Sequence, residues 1–383
     1  MTLSNDKKLQ VAFVGGGRDS AVGRAHRSAL GLDQNFELVA GCFSRDRTKC
    51  LETAAEYGVD ASRTYDDLQG LLDAERDKVD AVVILTPQDQ HYRHLELCLE
   101  AGVPVICEKA LTATVREARK VKALLEAENG FLAVISNYTG YPMFRELKAR
   151  IDKGELGSIQ QIQIEMPQEG FLRLTDEGQP MVPQDWRLVD GEIPTISLDL
   201  GSHMHMLVAF LTGEKPRSVI GSSDTFGNFK DITDTVSCMV RYSGGLHVNY
   251  WYSKTALGCR NGLKIRVFGQ NGSAEWFQAE PETLVCSNRH GGRMIYDRAS
   301  YGVLAANGIE YSRFKVGHPA GFIEALANYY SDVAKCLRAR RNNEQPSSPY
   351  VFGIDEAMEG LFLLDAAERS AQSERWETVS DVR

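Results

Sequence analysis

The chain has 383 residues, of which 43% are hydrophobic and 25% charged, a balance typical of globular proteins. This length exceeds a single compact core and predicts two domains. The net charge of −9 argues against a nucleic-acid partner or an anionic membrane surface. No apolar stretch approaches the roughly 18 residues of a membrane span, and MTLSNDKKLQ lacks a signal-peptide pattern. We therefore expect a cytoplasmic protein that binds neither nucleic acid nor membrane.

The eight cysteines are scattered along the chain and include no C-x-x-C pair. Several lie inside apolar strand or helix patterns, where cysteine behaves as a small core residue. We expect reduced thiols rather than a disulfide framework, and we expect no metal site.

Residues 1–137 alternate short apolar strand patterns with helical patterns. Strands rich in β-branched residues are predicted at LQVAFVG, FELVAGCF, VDAVVIL, VPVICEK and FLAVISN. Helices are predicted between them at VGRAHRSALG, RDRTKCLETAAEYG, DQHYRHLELCLEAG and TVREARKVKALLEAENG. This alternation predicts an α/β domain with a doubly wound parallel sheet, in which one edge carries loops 15–23, 44–47, 86–91 and 107–112.

From about residue 155 the strand patterns become longer and partly alternating. They are SIQQIQIEMPQ, RSVIGSSDTF, TVSCMVRYSGGLHVNYWYS, GLKIRVFGQNGSAEWF and ETLVCS. Together with helical patterns over 196–212, 319–340 and 354–371, they predict an α+β domain over 138–383. Its sheet is expected to be antiparallel, with one face open and the other covered by helices. We expect one long loop over 288–317 and a short polar connector over 342–349.

Three adjacent glycines follow the first predicted strand, in VGGGRDSAVGRAHRSAL. A dinucleotide site needs a tight turn at a strand end, N–H groups facing the pyrophosphate, and a helix N-terminus beyond them. The inserted RDSAV lengthens the loop, and Arg18 and Arg24 add positive charge near the phosphates. The alternative is a glycine turn without a ligand. The residues predicted to cradle the cofactor are Gly15, Gly16, Gly17 and Gly23.

The second predicted strand ends in GCFSRD, where a dinucleotide site contacts the ribose. An acidic residue would favour NAD there, but Ser44 and Arg45 occupy the place. A hydroxyl and a guanidinium suit a 2′-phosphate, so this pair favours NADP. Two alternatives stay open: Ser44 caps the next helix while Arg45 is solvated, or Asp46 turns inward.

The third and fourth predicted strands also end in polar groups. Thr86 and Pro87 stop the third strand, and His91 in the next helix contacts a cofactor or decorates the surface. Glu108 and Lys109 end the fourth strand. Charges at the carboxyl end of a central parallel strand indicate a ligand, unless they form a surface salt bridge.

A second candidate site lies in LDLGSHMHMLVAFL. If this segment is helical, Asp199 and His203 are one turn apart and share a face. A histidine beside a carboxylate is a competent general base. The alternative is that Asp199 caps the helix and His203 is a hydrogen-bonded core histidine. His205 falls on another face, so the H-x-H pair does not predict a metal site.

Taken in order, GGG…G…H, TP…H, CEK and D-x-G-x-H resemble the glucose–fructose oxidoreductase / inositol dehydrogenase / rhizopine-catabolism (Gfo/Idh/MocA) family, and its subgroup with a GGG-x5-G loop. The resemblance covers most of the chain. It implies an N-terminal Rossmann domain that binds NAD or NADP, with His26 among the cofactor-binding residues. It also implies a C-terminal domain with an open antiparallel sheet, through which the family forms dimers or tetramers.

By this resemblance, Lys109, Asp199 and His203 match the family's catalytic lysine, aspartate and histidine. Ala110 replaces the proline that usually follows E-K, so the turn that carries Lys109 is less rigidly fixed. Met206 replaces an aspartate found in relatives. The residues expected to contact a small sugar or polyol substrate are Tyr138, Trp186, Arg187, Tyr252 and His318, although His318 is equally suited to capping a helix.

We therefore expect hydride transfer between NAD(P) and a carbinol or ketone carbon, with His203 as general base and Lys109 polarising the reacting oxygen. Two alternatives stay open. One is glycoside cleavage through a transient keto-sugar, during which free NAD(P)H would not accumulate. The other is a non-catalytic, sugar-responsive regulator, against which the joint presence of Lys109, Asp199 and His203 argues.

Overall fold

The computed structural model describes residues 7–345 and 348–380. Residues 1–6, two residues of the predicted connector and residues 381–383 lie outside the described part. Contacts divide the chain into two compact units. The first runs to Thr112 and includes Arg116–Asn137 and Phe322–Ile354, and the second contains Ala113–Val115, Tyr138–Gly321 and the chain from Asp355. The sequence prediction put all of 138–383 in one domain, whereas Phe322–Ile354 groups with the first unit.

The first unit is built on a parallel sheet. Its strands are β1 (Leu9–Gly15), β2 (Phe36–Cys42), β3 (Ala81–Leu85), β4 (Val105–Cys107) and β5 (Leu132–Val134). Their order is β2-β1-β3-β4-β5, and most of their side chains are buried. Because the strands are parallel, the segments that follow them lie at the same edge of the sheet. The prediction of a doubly wound parallel sheet is confirmed.

The helices of this unit surround the sheet. They are α1 (Ala21–Leu32), α2 (Arg47–Tyr57), α3 (Leu68–Glu75), α4 (His91–Glu100), α5 (Val115–Ala127) and the later helix Phe322–Arg341. The helix Phe322–Arg341 packs against α1, and Phe352 forms a β-bridge with Val134 of β5. These contacts explain why Phe322–Ile354 belongs to the first unit.

The second unit is built on a larger sheet. Its strands are β6 (Ile159–Pro167), β7 (Pro216–Asp224), β8 (Thr235–Tyr242), β9 (His247–Ser253), β10 (Lys264–Gly269), β11 (Gly272–Phe277), β12 (Leu284–Asn288), β13 (Arg293–Tyr296) and β14 (Glu377–Thr378). Their order is β13-β12-β11-β10-β6-β9-β8-β7-β14. The paired strands are antiparallel except β6 and β9, which run parallel with Pro167 opposite Ser253. The sheet is therefore mostly antiparallel with one parallel pair, and the predicted α+β fold of this domain is confirmed.

The later helix of the first unit, Phe322–Arg341, is α8. The helices of the second unit are α6 (Pro142–Asp152), α7 (Ser202–Thr212) and α9 (Ile354–Ser373). A π-helical turn at Ser197–Gly201 leads directly into α7, so the segment predicted as one helix over 196–212 changes its winding. Among residues 7–345 and 348–380, no helix is both long and apolar enough to cross a bilayer.

The segment 288–317 is not one structureless loop as predicted. Residues 293–296 form β13, which pairs with β12 in a hairpin. Beyond this hairpin, buried Arg298 donates to the carbonyl oxygens of Tyr311 and His318, each at 3.0 Å. Glu146 of α6, also buried, accepts backbone N–H groups of residues 304–306. Buried charged side chains therefore fix this segment on the second unit.

Candidate active site

The glycine loop after β1 has no room for side chains. Gly15 and Gly16 have φ values of +76° and +69°, a region that favours glycine. A Cβ on Gly23 would lie 2.0 Å from the carbonyl oxygen of Gly16. Ser20 caps α1 and accepts a hydrogen bond from the Gly23 N–H at 3.1 Å. The tight turn, the close approach and the open helix N-terminus fit the diphosphate of a dinucleotide.

The inserted part of the loop is bound to α2. The Arg18 guanidinium forms ion pairs with Glu52 and Glu56 at 3.3 and 3.2 Å. The Tyr57 hydroxyl donates to the Gly16 carbonyl at 3.1 Å. Arg18 is therefore engaged by carboxylates, which corrects the expectation that its charge serves the phosphates.

At the end of β2, the three polar residues have different positions. Asp46 caps α2 by accepting the N–H groups of Thr48 and Lys49 at 2.9 and 3.2 Å, so its carboxylate does not turn inward. The Ser44 hydroxyl accepts the Asp46 N–H at 3.1 Å. Arg45 is exposed and makes no hydrogen bond or ion pair with the described residues.

His91 is buried between two backbone segments. Its Nδ1 lies 2.8 Å from the Ala110 carbonyl oxygen, and its Nε2 lies 2.8 Å from that of Thr86. Burial lowers the pKa of His91 and so favours the neutral ring. A neutral ring has one N–H, so it donates a hydrogen bond to one of these two carbonyl oxygens at a time. His91 therefore links the end of β3 to the turn that carries Lys109, a supporting position rather than the predicted cofactor contact. Pro87 directly precedes the short 3₁₀ turn Gln88–Gln90, which leads into α4.

His26 is also a supporting residue. Its Nδ1 lies 2.5 Å from the Tyr330 hydroxyl, and its Nε2 lies 2.8 Å from Oε1 of Glu108. Burial raises the pKa of Tyr330 well above its usual value, so the phenol stays protonated. Glu108 Oε2 accepts the Lys109 N–H at 3.0 Å. His26 thus orients the carboxylate that fixes the backbone of Lys109, and it is buried rather than open to a cofactor.

In the second unit, Asp199 lies in the π-helical turn and His203 one turn later in α7. The turn is tightly supported, because a Cβ on Gly201 would lie 2.7 Å from Leu364. Tyr252, which was predicted to contact substrate, is 1% exposed and bonds the Ser197 hydroxyl at 2.9 Å. It supports the turn from the core instead.

Two cations hold the Asp199 carboxylate. Arg187 donates to Oδ2 of Asp199, and Lys254 Nζ lies 2.9 Å from the same oxygen. The Arg187 guanidinium stacks on Trp186, 4.2 Å from its ring centre, and Trp186 is half-buried. Lys254 was missed by the sequence analysis. The sequence feature that could have indicated Lys254 is its position directly after the apolar strand pattern HVNYWYS.

His203 and His205 have different surroundings. The ring of Tyr138 meets His203 edge-on, with centres 4.8 Å apart. His205 is buried beside Gly360 of α9, and burial lowers its pKa to about 4. His318 is exposed and packs edge-on against Phe314 at 4.6 Å. The structure thus groups Asp199, His203, Tyr138, Trp186 and Arg187 in the second unit, and it places His205 and His318 elsewhere in that unit.

The lysine predicted to act with these groups belongs to the first unit. Lys109, Thr86 and the glycine loop all lie at the carboxyl edge of the parallel sheet. Thr86 Oγ1 lies 3.0 Å from His94 Nδ1, and its methyl group would be 2.9 Å from a Cβ on Gly15. The carboxyl edge of this sheet is the place where open α/β sheets bind ligands.

Comparison with known proteins identifies the family of both units. Residues 9–136 match the model described as an oxidoreductase family with an NAD-binding Rossmann fold, and residues 144–275 match the GFO/IDH/MocA C-terminal domain. An uncharacterized oxidoreductase of Bacillus subtilis is 32% identical over 378 residues, covering 95% of this chain and 95% of its own.

Solved structures agree with the sequence relatives. An inositol dehydrogenase homolog from Azotobacter vinelandii, complexed with NADH and myo-inositol, has a TM-score of 0.87 and 28% identity, covering 97% of this chain and 98% of its own. An oxidoreductase from Sinorhizobium meliloti has a TM-score of 0.84 and 31% identity, and the match covers 97% of this chain and 99% of the Sinorhizobium chain. This chain belongs to the Gfo/Idh/MocA family and is an NAD(P)-dependent oxidoreductase.

Proposed function

We propose that this protein oxidises a secondary carbinol of a sugar, cyclitol or glycoside, or reduces the corresponding ketone, with NAD(P). The observation that carries the proposal is the placement of Asp199 and His203 one helical turn apart, with Asp199 held by Arg187 and Lys254. The Azotobacter homolog that binds NADH and myo-inositol supports a polyol substrate.

The proposed roles follow from the charges that must move. The nicotinamide, when bound, accepts or supplies the hydride. Oxidation also requires the substrate hydroxyl proton to leave, and the imidazole of His203 is the group proposed to accept it. Asp199, itself held by Arg187 and Lys254, is the group proposed to orient the substrate or the ring. Lys109, as an ammonium, would donate a hydrogen bond to the reacting oxygen as negative charge develops there.

A panel assay tests the proposal. Sugars, cyclitols and glycosides are each incubated with NAD and with NADP, and the absorbance of the reduced nicotinamide is followed. The Lys109→Met variant should lose about 10²–10³-fold in kcat, because it lacks one donor to the reacting oxygen. It should still bind the cofactor. The exposed Lys153→Met variant serves as a control, since among the described residues Lys153 forms an ion pair with Glu155 alone, at 3.1 Å.

The His203→Ala variant tests the second role. We expect kcat to fall about 10²–10⁴-fold. We also expect the rate of oxidation to stop increasing with rising pH. Near-normal turnover in Lys109→Met, or an unchanged pH profile in His203→Ala, would refute these assignments. Reduced nicotinamide that fails to accumulate while a glycoside is consumed would instead favour glycoside cleavage through a keto-sugar.

We also propose that NADP is the preferred cofactor. Asp46 is engaged in capping α2, which removes the carboxylate that could bind the ribose hydroxyls of NAD. Arg45 stands exposed beside it without a partner among the described residues. A guanidinium in this place suits a 2′-phosphate.

The open face of the large sheet supports the proposal of a homodimer or homotetramer. Large apolar side chains on this face are exposed, namely Met239 at 53%, Trp251 at 38%, Phe268 at 38% and Ile295 at 68%. Met239, Trp251 and Phe268 alternate along their strands with buried residues, so they lie on the face opposite the core. Such patches commonly mark protein interfaces. Light scattering of the purified protein should give a multiple of 42.5 kDa.

A cytoplasmic location is proposed from the thiols. All eight cysteines are free, and seven of them are buried. Free thiols in this number suit a reducing compartment. The protein is isolated gently and labelled with a thiol reagent, once in its native state and once unfolded. The unfolded protein should show eight reactive thiols, and the native protein should show fewer.

A further inference from the structure

Two buried side chains of α2 bind consecutive peptide units of the glycine loop. The Tyr57 hydroxyl donates to the Gly16 carbonyl oxygen at 3.1 Å, and Tyr57 is buried. The hydroxyl of Thr53, also buried, accepts the Arg18 N–H at 3.2 Å and donates to the Lys49 carbonyl oxygen at 2.7 Å. The loop is therefore held to one helix through two hydroxyl groups, besides the ion pairs of the Arg18 guanidinium.

These two bonds fix the direction of the peptide between Gly16 and Gly17. In a trans peptide the C=O and the N–H point to opposite sides. Since the Gly16 carbonyl is turned toward Tyr57, the Gly17 N–H is turned away from α2. The next peptide is fixed as well, because its N–H bonds Thr53 and its carbonyl, that of Gly17, accepts the Ser20 N–H at 2.8 Å.

The Gly17 N–H is thus left as a donor on the side of the loop away from α2. Within residues 7–345 and 348–380 it has no hydrogen-bond acceptor. Gly17 is half-buried, and an N–H in such a place takes water or a ligand as its partner. The Rossmann domain of this family binds NAD, and the diphosphate of NAD offers anionic oxygens that accept strong bonds from backbone N–H groups. The Gly17 N–H is therefore suited to binding the diphosphate.

We propose that Tyr57 and Thr53 are positioning residues that hold the Gly17 N–H toward the diphosphate of NAD(P). Both act through the backbone of the loop. The Gly16 carbonyl oxygen can only accept, so the phenol must donate, and burial raises the pKa of Tyr57 and keeps the phenol protonated. The Tyr57 ring is itself held, because it meets Phe43 edge-on with ring centres 5.8 Å apart. NAD and NADP share the diphosphate, so this inference concerns a part of the cofactor that the proposed preference for NADP does not.

The Tyr57→Phe substitution removes the donor and keeps the ring. The affinities for NADPH and NADH should each fall about fivefold, because the peptide that carries the Gly17 N–H loses the bond that orients it. Adenosine 2′-monophosphate has no diphosphate, so its affinity should stay unchanged. Dissociation constants are measured by isothermal titration calorimetry. An equal fall for adenosine 2′-monophosphate would indicate a general loosening of the first unit and would overturn the proposal, as would unchanged affinities for NADPH and NADH.

Tyr65→Phe is the matched control, because it also removes one hydroxyl from the first unit. The Tyr65 hydroxyl donates to Oε1 of Glu75 at 2.7 Å and not to the glycine loop. The melting temperature of this variant should fall, since a buried carboxylate loses a donor. Its affinities for NADPH and NADH should stay unchanged. If Tyr65→Phe weakens both cofactors as much as Tyr57→Phe does, the loop contact of Tyr57 has no special role and the proposal is overturned.

A pair of substitutions at Thr53 tests the second hydroxyl. Thr53→Val keeps the shape and lacks the acceptor, so the affinities for NADPH and NADH should fall about fivefold. Thr53→Ser keeps the hydroxyl and should bind both cofactors as the unchanged protein does. Equal affinities in the two variants would overturn the role of Thr53. If adenosine 2′-monophosphate does not bind the unchanged protein, the proposed preference for NADP fails, and the comparison of Tyr57→Phe with Tyr65→Phe still decides this inference.

Discussion

Gly23→Ala is the substitution that most directly tests the geometry of the glycine loop. The added Cβ would lie 2.0 Å from the Gly16 oxygen and 2.4 Å from the Gly16 carbonyl carbon. Contacts under 3.0 Å essentially never occur, so the loop and the helix must separate by about 3.0 − 2.0 = 1.0 Å. Both opposing atoms are backbone and cannot rotate away. Forced overpacking of this kind costs about 1–3 kcal/mol.

The shift has two measurable consequences. Displacing the loop by about 1 Å should weaken NADP binding about tenfold or more, because the N–H groups no longer converge on the diphosphate. The melting temperature should fall as well. Binding is measured by fluorescence titration with NADPH, and unfolding by circular dichroism.

Gly31→Ala is the matched control, because it adds the same methyl group to the same helix. Its nearest neighbour would be the end of the flexible Arg27 side chain at 3.4 Å. Within a helix, alanine should stabilise by about 0.5–1 kcal/mol relative to glycine. If Gly23→Ala binds NADPH as tightly as Gly31→Ala does, the loop does not cradle the diphosphate as argued.

Three further predictions follow from individual contacts. Arg45→Ala should raise KM for NADP about tenfold and leave KM for NAD nearly unchanged, as initial rates would show; equal shifts would exclude 2′-phosphate binding. Lys254→Met should lower kcat/KM more than Lys254→Arg, because only the latter keeps a second cation on Asp199 beside Arg187; identical losses would argue against this. Burial favours a raised pKa for Glu75, but hydrogen bonds from Arg63 and Tyr65 outweigh it and lower the pKa from 4.5. The free energy of unfolding should therefore fall as the pH drops below 4.5. In Glu75→Gln, the urea concentration at the unfolding midpoint should depend less on pH.

Local sequence patterns predicted the parallel sheet and the position of His203 one turn after Asp199. Short buried strands read as apolar runs, and residues four apart share a helical face even where the winding changes to a π turn. Helix α6 was missed because its buried side is not apolar. Arg145, Glu146 and Arg150 are buried together with Phe144 and Leu147, so charged residues occupy positions that a core-facing helix usually fills with apolar ones. Helix α3 was missed because Gly70 interrupts its helical signal.

The support of the candidate site depends on contacts that no local pattern encodes. His26 and Glu108 are 82 positions apart, and Lys254 and Asp199 pair only after two separate segments have folded. The family resemblance implied that His26 contacts a cofactor, and the position of His91 left a cofactor contact or a surface position open, whereas both histidines bind protein groups. The local sequence pattern is the same for a histidine that contacts a ligand and for a histidine that supports the ligand-binding loop.

The parallel pair β6–β9 explains why Lys254 could not be found from an antiparallel expectation. In antiparallel neighbours, the residues that follow two strands lie at opposite edges of the sheet. In the observed register Pro167 is opposite Ser253, so the next residues, Gln168 and Lys254, emerge side by side. Their side chains bond at 2.6 Å for that reason. One strand direction, invisible in the alternating pattern, therefore decides whether Lys254 meets Gln168.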